Sequence, residues 1–315
     1  MSKHGQPAAA SAAAARKTEN ALLLLLSNPR GRAPALAAAS AILLLLLWRR
    51  SSRVRFFLRV AGFVLAGTIA SLVGILVSPF LWVAGVPGNT NWVVARTMLT
   101  LGPLLTGLGV KVEGREILER AGLPAVLVCN HQSALDILGM GAILPKKVVV
   151  LSKKEIKFVP ILGWFMALAQ NVFIDRRNRT HAIETMGQVA TYLKEKKYGL
   201  WLFPEGTRSR QRDDSILPFK KGAFHLAVQG QLPIVPVLFS TYGPCYDKKE
   251  MRFDSGTFTV KVLEPIDTTG LGTADVDALM ERTRTAMADG LKTIRTVPSG
   301  SAVAAASAPP RMKAD

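Results

Sequence analysis

One stretch of this chain constrains its fold more than any other, because residues 60–95 contain no charged side chain. A basic cluster precedes it, made of Arg49, Arg50, Arg53, Arg55 and Arg59. About 20 apolar residues span a bilayer core, so the stretch is long enough to cross a membrane or to enter and return near Ser78 and Pro79. A buried core helix is the alternative, but the length and the flanking arginines favour the membrane.

Two shorter apolar runs lie closer to the N-terminus, at residues 22–26 and 33–48, and arginines bound the second. The second run falls slightly short of a full span, so it predicts an anchor in preference to a cleaved signal. We therefore expect membrane-associated helical segments over residues 21–95. Residues 1–20 and 298–315 are rich in Ala and Ser, which predicts disordered tails.

Charge and cysteine content narrow the class of protein. The chain has 315 residues, with 40 Lys and Arg against 22 Asp and Glu, and its net charge of +18 favours an anionic partner. Because 49% of its residues are hydrophobic and 7% aromatic, a membrane or phosphorylated substrate fits better than nucleic acid. Cys129 and Cys245 are the only cysteines, which argues against a disulfide framework or a zinc cluster.

Residues 96–297 have the pattern of an α/β domain, in which short apolar runs alternate with helical periodicity. We predict a mixed sheet flanked by helices, joined to the N-terminal apolar helical region. The candidate strands are residues 125–129, 148–151, 172–174, 200–203, 234–239 and 257–263. One candidate helix begins at a cap on Thr180, and a final helix covers residues 275–294.

The first candidate site follows the first of these strands, where residues 130–136 read Asn-His-Gln-Ser-Ala-Leu-Asp. With His131 in the turn and Asp136 in the first helical turn, the carboxylate can orient the imidazole as a general base. A helix cap or a surface hydrogen bond is the ordinary alternative for such a pair. A metal site is disfavoured because the other histidines lack paired ligand spacing. Ser133 lacks the flanking glycines of a nucleophile elbow.

The second candidate site follows another apolar strand, where residues 203–209 read Phe-Pro-Glu-Gly-Thr-Arg-Ser. Gly206 permits a tight turn that carries Thr207, and Arg208 offers a planar fork for phosphate. Glu205 can accept a hydrogen bond from a substrate hydroxyl or orient the arginine. The alternative is a surface turn with a solvated ion pair.

Further cations accompany these two sites. Arg176 closes the strand at residues 172–174, and Lys154 lies on a predicted loop together with Lys153 and Lys157. Cations that converge from separate strand ends favour an anion site, and solvated lysines are the alternative.

Four blocks, in this order, resemble the 1-acyl-sn-glycerol-3-phosphate acyltransferase family of glycerophospholipid acyltransferases. They are residues 130–136, 173–176, 203–209 and 232–237. The blocks look more eukaryotic, particularly fungal, than bacterial, and the chain departs from the family at Gln170, where glycine is frequent.

This resemblance implies a His general base at His131, oriented by Asp136, and a phosphate-binding Arg208 assisted by a lysine near Lys154. It also implies acyl transfer from acyl-CoA, as co-substrate, to the sn-2 hydroxyl of lysophosphatidic acid, with no cofactor and no metal. The expected product is phosphatidic acid for phospholipid biosynthesis, made at a eukaryotic membrane that we expect to be the endoplasmic reticulum. Alternatives are an acyltransferase for glycerol-3-phosphate or another lysophospholipid, and a catalytically silent adaptor that binds anionic lipid.

Overall fold

The computed structural model describes residues 51–175, 179–209 and 215–300, with scattered positions between 33 and 50. The predictions for residues 1–20 and 22–26, for residues 35, 41 and 43–47 of the run 33–48, and for residues 301–315 therefore lie outside the described residues. The chain separates into two compact units, and the second one, Phe56–Asp315, carries the folded domain.

A mixed β-sheet organises the second unit. Its strands are β1 (Leu108–Glu113), β2 (Val126–Cys129), β3 (Val148–Lys153), β4 (Val172–Ile174), β5 (Gly199–Leu202), β6 (Ile234–Phe239), β9 (Gly256–Val262) and β10 (Val297–Pro298), and β7 (Tyr246–Asp247) pairs with β8 (Arg252–Phe253) in a separate hairpin. The strand order in the sheet is β1-β9-β6-β2-β5-β3-β4, with β10 paired to β9. Pairing is parallel throughout except for β6 with β9 and β9 with β10.

Helices cover both faces of this sheet. They are α1 (Ser52–Val83), α2 (Asn89–Thr106), α3 (Arg115–Ala121), α4 (Asp136–Ile143), α5 (Leu162–Leu168), α6 (Arg179–Lys196), α7 (Gly222–Gly230) and α8 (Val276–Leu291), with 3-10 turns at Lys154–Phe158 and Thr273–Asp275. The predicted α/β class with a mixed sheet is therefore confirmed. The helix with the predicted cap at Thr180 begins at Arg179, and the final helix is slightly shorter than predicted.

Two buried clusters lie on opposite faces of the sheet, and strands β2, β3, β4, β5 and β6 contribute to both by alternation. In β2, Leu127 and Cys129 join the cluster that packs against α1, α2, α4 and α5. Val126 and Val128 join the cluster formed with α6, α7 and α8. All four residues of this central strand are buried, which explains why it reads as a continuous apolar run.

The uncharged stretch that dominates the sequence forms two antiparallel helices, α1 and α2. Ser78 Oγ lies 3.3 Å from Thr90 Oγ1, and a Cβ atom at Gly62 would approach the Leu105 carbonyl oxygen to 2.9 Å. Of the two alternatives that the sequence left open, a return at Ser78 and Pro79 does not occur, because α1 continues through this proline. The chain reverses later, where Gly85 adopts a φ of 73° that glycine tolerates without strain.

Among the described residues, α1 is the one helix long and apolar enough to cross a membrane. Its 32 residues extend about 48 Å, which exceeds the roughly 30 Å hydrocarbon core. In the most apolar stretch of 18 residues of this helix, only 22% of the residues are buried. The outward side of α1 is therefore apolar, as in a helix that contacts lipid.

The boundary that we predicted between residues 95 and 96 falls inside α2. This helix packs on the face of the sheet that α1, α4 and α5 also cover, through Val94, Ala95 and Met98, which are all buried. A single helix thus belongs both to the apolar hairpin and to the α/β domain.

Candidate active site

The candidate site lies where neighbouring parallel strands end at one edge of the sheet. His131 follows β2, the turn at residues 203–209 follows β5, and Lys153 ends β3. These three strands are adjacent, since β5 pairs with both β2 and β3. Parallel strands place their carboxyl ends on the same edge, which is where open α/β sheets bind ligands.

His131 and Asp136 form the central pair of this edge. The His131 Nδ1 atom lies 2.5 Å from Asp136 Oδ2. The His131 ring stacks on Phe203 with a centroid separation of 4.0 Å and an interplanar angle of 19°. Its side chain is 19% exposed, whereas that of Asp136 is 1% exposed. The imidazole is therefore held from two sides, and Nε2 is the ring nitrogen available to a substrate.

The Asp136 carboxylate is fixed by the turn that it closes. It accepts hydrogen bonds from the backbone N–H groups of Gln132 at 3.0 Å and Ser133 at 3.2 Å, in addition to His131. Asp136 is also the first residue of α4, where the helix dipole favours a negative charge. Backbone donors and dipole together stabilise the buried carboxylate.

Glu205 supports the backbone of His131 from the neighbouring strand end. Its Oε1 atom accepts a hydrogen bond from the His131 N–H at 2.7 Å, and its Oε2 atom accepts one from Leu217 N–H at 3.2 Å. The Ser209 N–H donates to the His131 carbonyl oxygen at 2.8 Å. This turn therefore holds both sides of the His131 peptide. Glu205 accepts hydrogen bonds from backbone groups, whereas the sequence had suggested a substrate hydroxyl or the neighbouring arginine as its partner.

Burial raises the pKa of Glu205 from 4.5 to about 7, against the opposing effect of the backbone donors at His131 and Leu217. The Asp136 carboxylate contributes in the same direction as burial, because two nearby negative charges are unfavourable. The carboxyl group of Glu205 therefore titrates near neutral pH, immediately behind the candidate base.

Residues at and just after the end of β6 complete the support, and the sequence pattern did not assign them to the site. The Asn130 side chain donates to the Phe239 carbonyl at 3.0 Å and accepts from the Phe239 N–H at 2.8 Å. Gln132 Nε2 also donates to the Phe239 carbonyl, at 2.7 Å. The Tyr242 side chain is buried near Asp136, and burial followed by the Asp136 charge raises its pKa well above 10.

A cavity of about 450 Å³ opens at His131. One part of its wall is apolar and comes from α2, α4 and α5, with Val94, Ile137, Met140, Phe165 and Met166. The other part is polar and includes the turn at residues 206–208. A cavity of this shape suits a molecule with an apolar chain and a charged end.

The polar wall carries the cations. Arg208 and Lys153 both line the cavity. Lys154, which the sequence singled out, lies outside that lining and its Nζ is 3.6 Å from Asp175 Oδ2. Thr207 and Gly206 line the wall, and the Gly206 N–H donates to the Phe203 carbonyl at 3.1 Å as part of the turn. Arg176 lies outside the described residues. The substrate-binding roles of Arg176 and Lys154 both stay predictions.

No group of three or more His, Cys, Asp or Glu side chains able to hold a metal ion occurs among the residues that the structure describes. Cys129 is fully buried behind the site, where burial and the Asp136 charge raise the pKa of its thiol well above 9.0. The groups positioned for chemistry are therefore an imidazole, carboxylates and cations.

Comparison with known proteins shows the class of protein to which this chain belongs. The family model described as Acyltransferase matches residues 109–240. A 1-acyl-sn-glycerol-3-phosphate acyltransferase of Saccharomyces cerevisiae is 40% identical over 247 residues, which cover 78% of this chain and 81% of the yeast protein. The 1-acyl-sn-glycerol-3-phosphate acyltransferase alpha of Homo sapiens is 40% identical over 252 residues, covering 79% and 86%.

A solved structure supports the fold. The crystal structure of the 1-acyl-sn-glycerophosphate (LPA) acyltransferase of Thermotoga maritima matches with a TM-score of 0.52 at 22% identity, over 72% of this chain and 97% of that one. The fold and the matched region define an acyltransferase. The chain belongs to the 1-acyl-sn-glycerol-3-phosphate acyltransferase family. The resemblance inferred from the four blocks, and with it the enzyme class, is confirmed.

Proposed function

We propose that this acyltransferase transfers an acyl group from acyl-CoA to the sn-2 hydroxyl of 1-acyl-sn-glycerol-3-phosphate, giving phosphatidic acid. The observation that carries the proposal is the His131–Asp136 pair at the mouth of a cavity with one apolar and one cationic wall. The names of the yeast and human relatives support the same acceptor.

In this mechanism His131 is the general base. Asp136 holds the proton on Nδ1, so Nε2 accepts the proton of the sn-2 hydroxyl as its oxygen attacks the thioester carbonyl. The tetrahedral intermediate then collapses, the carbon–sulfur bond breaks, and the imidazolium returns its proton to the departing thiolate. The stacked ring of Phe203 and the buried Asp136 keep the imidazole in the required orientation.

The cations of the polar wall hold the acceptor. Arg208 and Lys153 line the cavity from different strand ends, and both match the charge of a phosphate monoester. The apolar wall between α2 and α5 accommodates acyl chain. An acceptor bound in this way presents its free hydroxyl near His131.

The proposed setting is a eukaryotic membrane, the endoplasmic reticulum, where the reaction contributes to phospholipid biosynthesis. The apolar outward side of α1 supports attachment to the bilayer. We propose that residues 21–95 are the membrane-associated part and that the chemistry belongs to residues 96–297, with α2 joining the two.

The test is acyl transfer by the purified full-length chain in phospholipid vesicles, with radiolabelled acyl-CoA and a panel of acceptors. We expect a rate with 1-acyl-sn-glycerol-3-phosphate well above the rates with glycerol-3-phosphate and with lysophosphatidylcholine. A preference for either of those acceptors would replace the proposed substrate. No transfer to any acceptor by a folded, vesicle-bound chain would favour the lipid-binding adaptor.

A further inference from the structure

A second apolar surface lies next to α1, on the segment formed by residues 157–168. This segment runs from the end of the 3-10 turn at Lys154–Phe158 through the whole of α5. Its outward side chains are large and apolar: Phe158 is 73% exposed, Trp164 is 57% exposed and Val159 is 40% exposed. None of these three lines the active-site cavity, so the chemistry proposed above does not account for their exposure.

The backbone of this segment is tightly fixed, so loose packing does not explain the exposure. Val159 N–H donates to the Ile156 carbonyl at 3.1 Å, and Gly163 N–H donates to the Val159 carbonyl at 2.7 Å. Gly163 sits so close to the preceding turn that a Cβ atom there would clash with two carbonyl oxygens. The segment is therefore a rigid turn that displays Phe158 and Val159 outward.

Ile161 adds backbone strain at the same turn. Its φ of 64° and ψ of −60° are unfavourable for a β-branched residue, which adopts positive φ very rarely. Strain of this kind persists where the surrounding structure enforces it, and it is concentrated at functional sites. Here the turn that it produces places the apolar side chains at the surface.

The segment is continuous with the apolar surface of α1. Trp82 Nε1 donates to the Leu168 carbonyl at 2.8 Å, which joins the C-terminal end of α1 to the end of α5. The neighbouring α1 side chains are strongly exposed, with Phe80 at 76% and Val83 at 92%. Two helices from distant parts of the sequence therefore form one apolar surface.

The composition of this combined surface matches the interfacial region of a bilayer. Trp82 and Trp164 are partly exposed, and tryptophan is enriched at the level of lipid headgroups. Lys153 at the end of β3 and Lys154 and Lys157 on the adjoining turn are exposed, as anionic headgroups would require. The inner side of the same segment, through Leu162, Phe165 and Met166, lines the active-site cavity.

From this placement we infer that residues 157–168 form a second membrane-contact element, which inserts Phe158, Val159 and Trp164 into one leaflet containing anionic lipid. The inference rests on the proposed membrane location of α1 and goes beyond the proposed reaction. It places the cavity wall itself at the bilayer surface, so that a lipid acceptor reaches His131 without complete transfer into water.

The depth of Phe158 in the membrane is directly measurable. Cys129 and Cys245 are buried, so Phe158→Cys in the full-length chain accepts a single environment-sensitive fluorophore such as NBD. In vesicles of phosphatidylcholine and phosphatidylserine we expect blue-shifted emission that nitroxide-labelled lipid quenches and aqueous iodide does not. Glu281→Cys, on α8 at the opposite face of the sheet, is the matched control and should show the reverse pattern.

Two results would overturn the inference. One is free quenching by iodide at position 158 while the chain is bound to vesicles. The other is protection of the label that depends on protein concentration in lipid-free detergent, which would assign the surface to a second copy of this chain. Neither readout requires turnover, so the result stands apart from the outcome of the acyl-transfer assay.

A functional measurement complements the fluorescence. The double variant Phe158→Ser and Val159→Ser removes exposed apolar groups without opening the core. We expect roughly tenfold less activity on vesicle-borne acceptor and unchanged activity on a short-chain, water-soluble acceptor. An equal loss on both acceptors would indicate damage to the domain, and no loss on vesicles would remove the role in lipid access.

Discussion

Asp136 and Arg208 face the same cavity, but the structure holds them in different ways. Asp136 is buried and accepts hydrogen bonds from two backbone N–H groups and from His131. Arg208 is exposed on a turn, and Lys153 is exposed at the end of a strand. The difference indicates that the carboxylate half is organised before substrate binds, whereas the cationic half is available to adapt to a ligand.

This contrast suggests a division of tasks. A preorganised base lowers the barrier of the chemical step, because it does not have to be oriented during the reaction. Exposed cations repel each other, and a bound phosphate stabilises them through charge-assisted hydrogen bonds. We therefore expect variants in the buried half to change kcat and variants in the exposed half to change the acceptor KM.

His131→Ala should have the largest effect. Loss of a general base lowers kcat by about 10² to 10⁴. The side chain is partly exposed and the Glu205 contact is to the backbone, so the fold should persist. Steady-state acyl transfer, with flotation and circular dichroism as controls, makes the comparison. Wild-type turnover by a folded variant would contradict the mechanism.

Asp136→Asn should be nearly as damaging, with a loss in kcat of about 10² to 10⁴. An amide at this position can stabilise the wrong imidazole tautomer, and its NH2 group faces backbone donors at Gln132 and Ser133. The measurement is kcat over a range of pH in vesicles. Asp136→Glu is the matched variant that keeps the charge, and it should retain more activity than Asp136→Asn.

Glu205→Gln should destabilise the domain and do so in a pH-dependent way. The amide NH2 of glutamine would face a backbone N–H at His131 or Leu217, a mismatch that costs about 1–3 kcal/mol at acidic pH. Thermal unfolding in mild detergent measures this difference from the wild type.

The sign of the pH dependence follows from the raised pKa. The pKa of Glu205 is about 7 in the fold against 4.5 ordinarily, so its protonated form is favoured and its stabilising effect is complete below pH 4.5. That effect is lost as pH rises to 7, by on the order of 3 kcal/mol. Because glutamine does not titrate, the deficit of the variant should shrink or reverse between pH 4.5 and pH 8. A deficit that grows with pH would show that the carboxylate is favoured.

Lys153→Ala and Lys154→Ala should differ by the smallest effect, a difference in the acceptor KM. Lys153 lines the cavity, and loss of one hydrogen bond to a phosphate should raise the acceptor KM roughly tenfold. Lys154 lies outside the lining beside Asp175, so its loss should change KM by less than about fivefold. The reverse order would restore the assignment made from the sequence.

The sequence predicted the parts of the site that follow from strand ends. Residues 130–136 and 203–209 each follow a buried apolar strand, and these two strands turn out to be neighbours in the sheet. Periodicity also placed the strands at residues 172–174 and 234–239 correctly. Strand β1 was not predicted, because Gly109 and Lys111 interrupt its apolar pattern. This strand lies at the edge of the sheet.

Long-range contacts explain what the sequence could not predict. Nothing local indicates that Glu205 accepts a hydrogen bond from a peptide 74 positions earlier, or that Asn130 binds Phe239 across 109 positions. The backbone at Gln170 explains why glycine is frequent at this position in the family, since its φ of 58° is in the left-handed region that glycine favours. Its side chain accepts a hydrogen bond from the Tyr192 hydroxyl at 2.8 Å.

The division of tasks between the two halves of the site is tested most directly by the kinetics of Arg208→Lys and Asp136→Asn in parallel. Lysine keeps the charge of Arg208 but loses the planar fork that matches phosphate. We predict that Arg208→Lys raises the acceptor KM. The acyl-CoA KM should not change, and the variant should retain most of the wild-type kcat. Asp136→Asn should lower kcat and leave both KM values unchanged. Equal loss of kcat in the two variants, with no change in acceptor KM, would contradict the account.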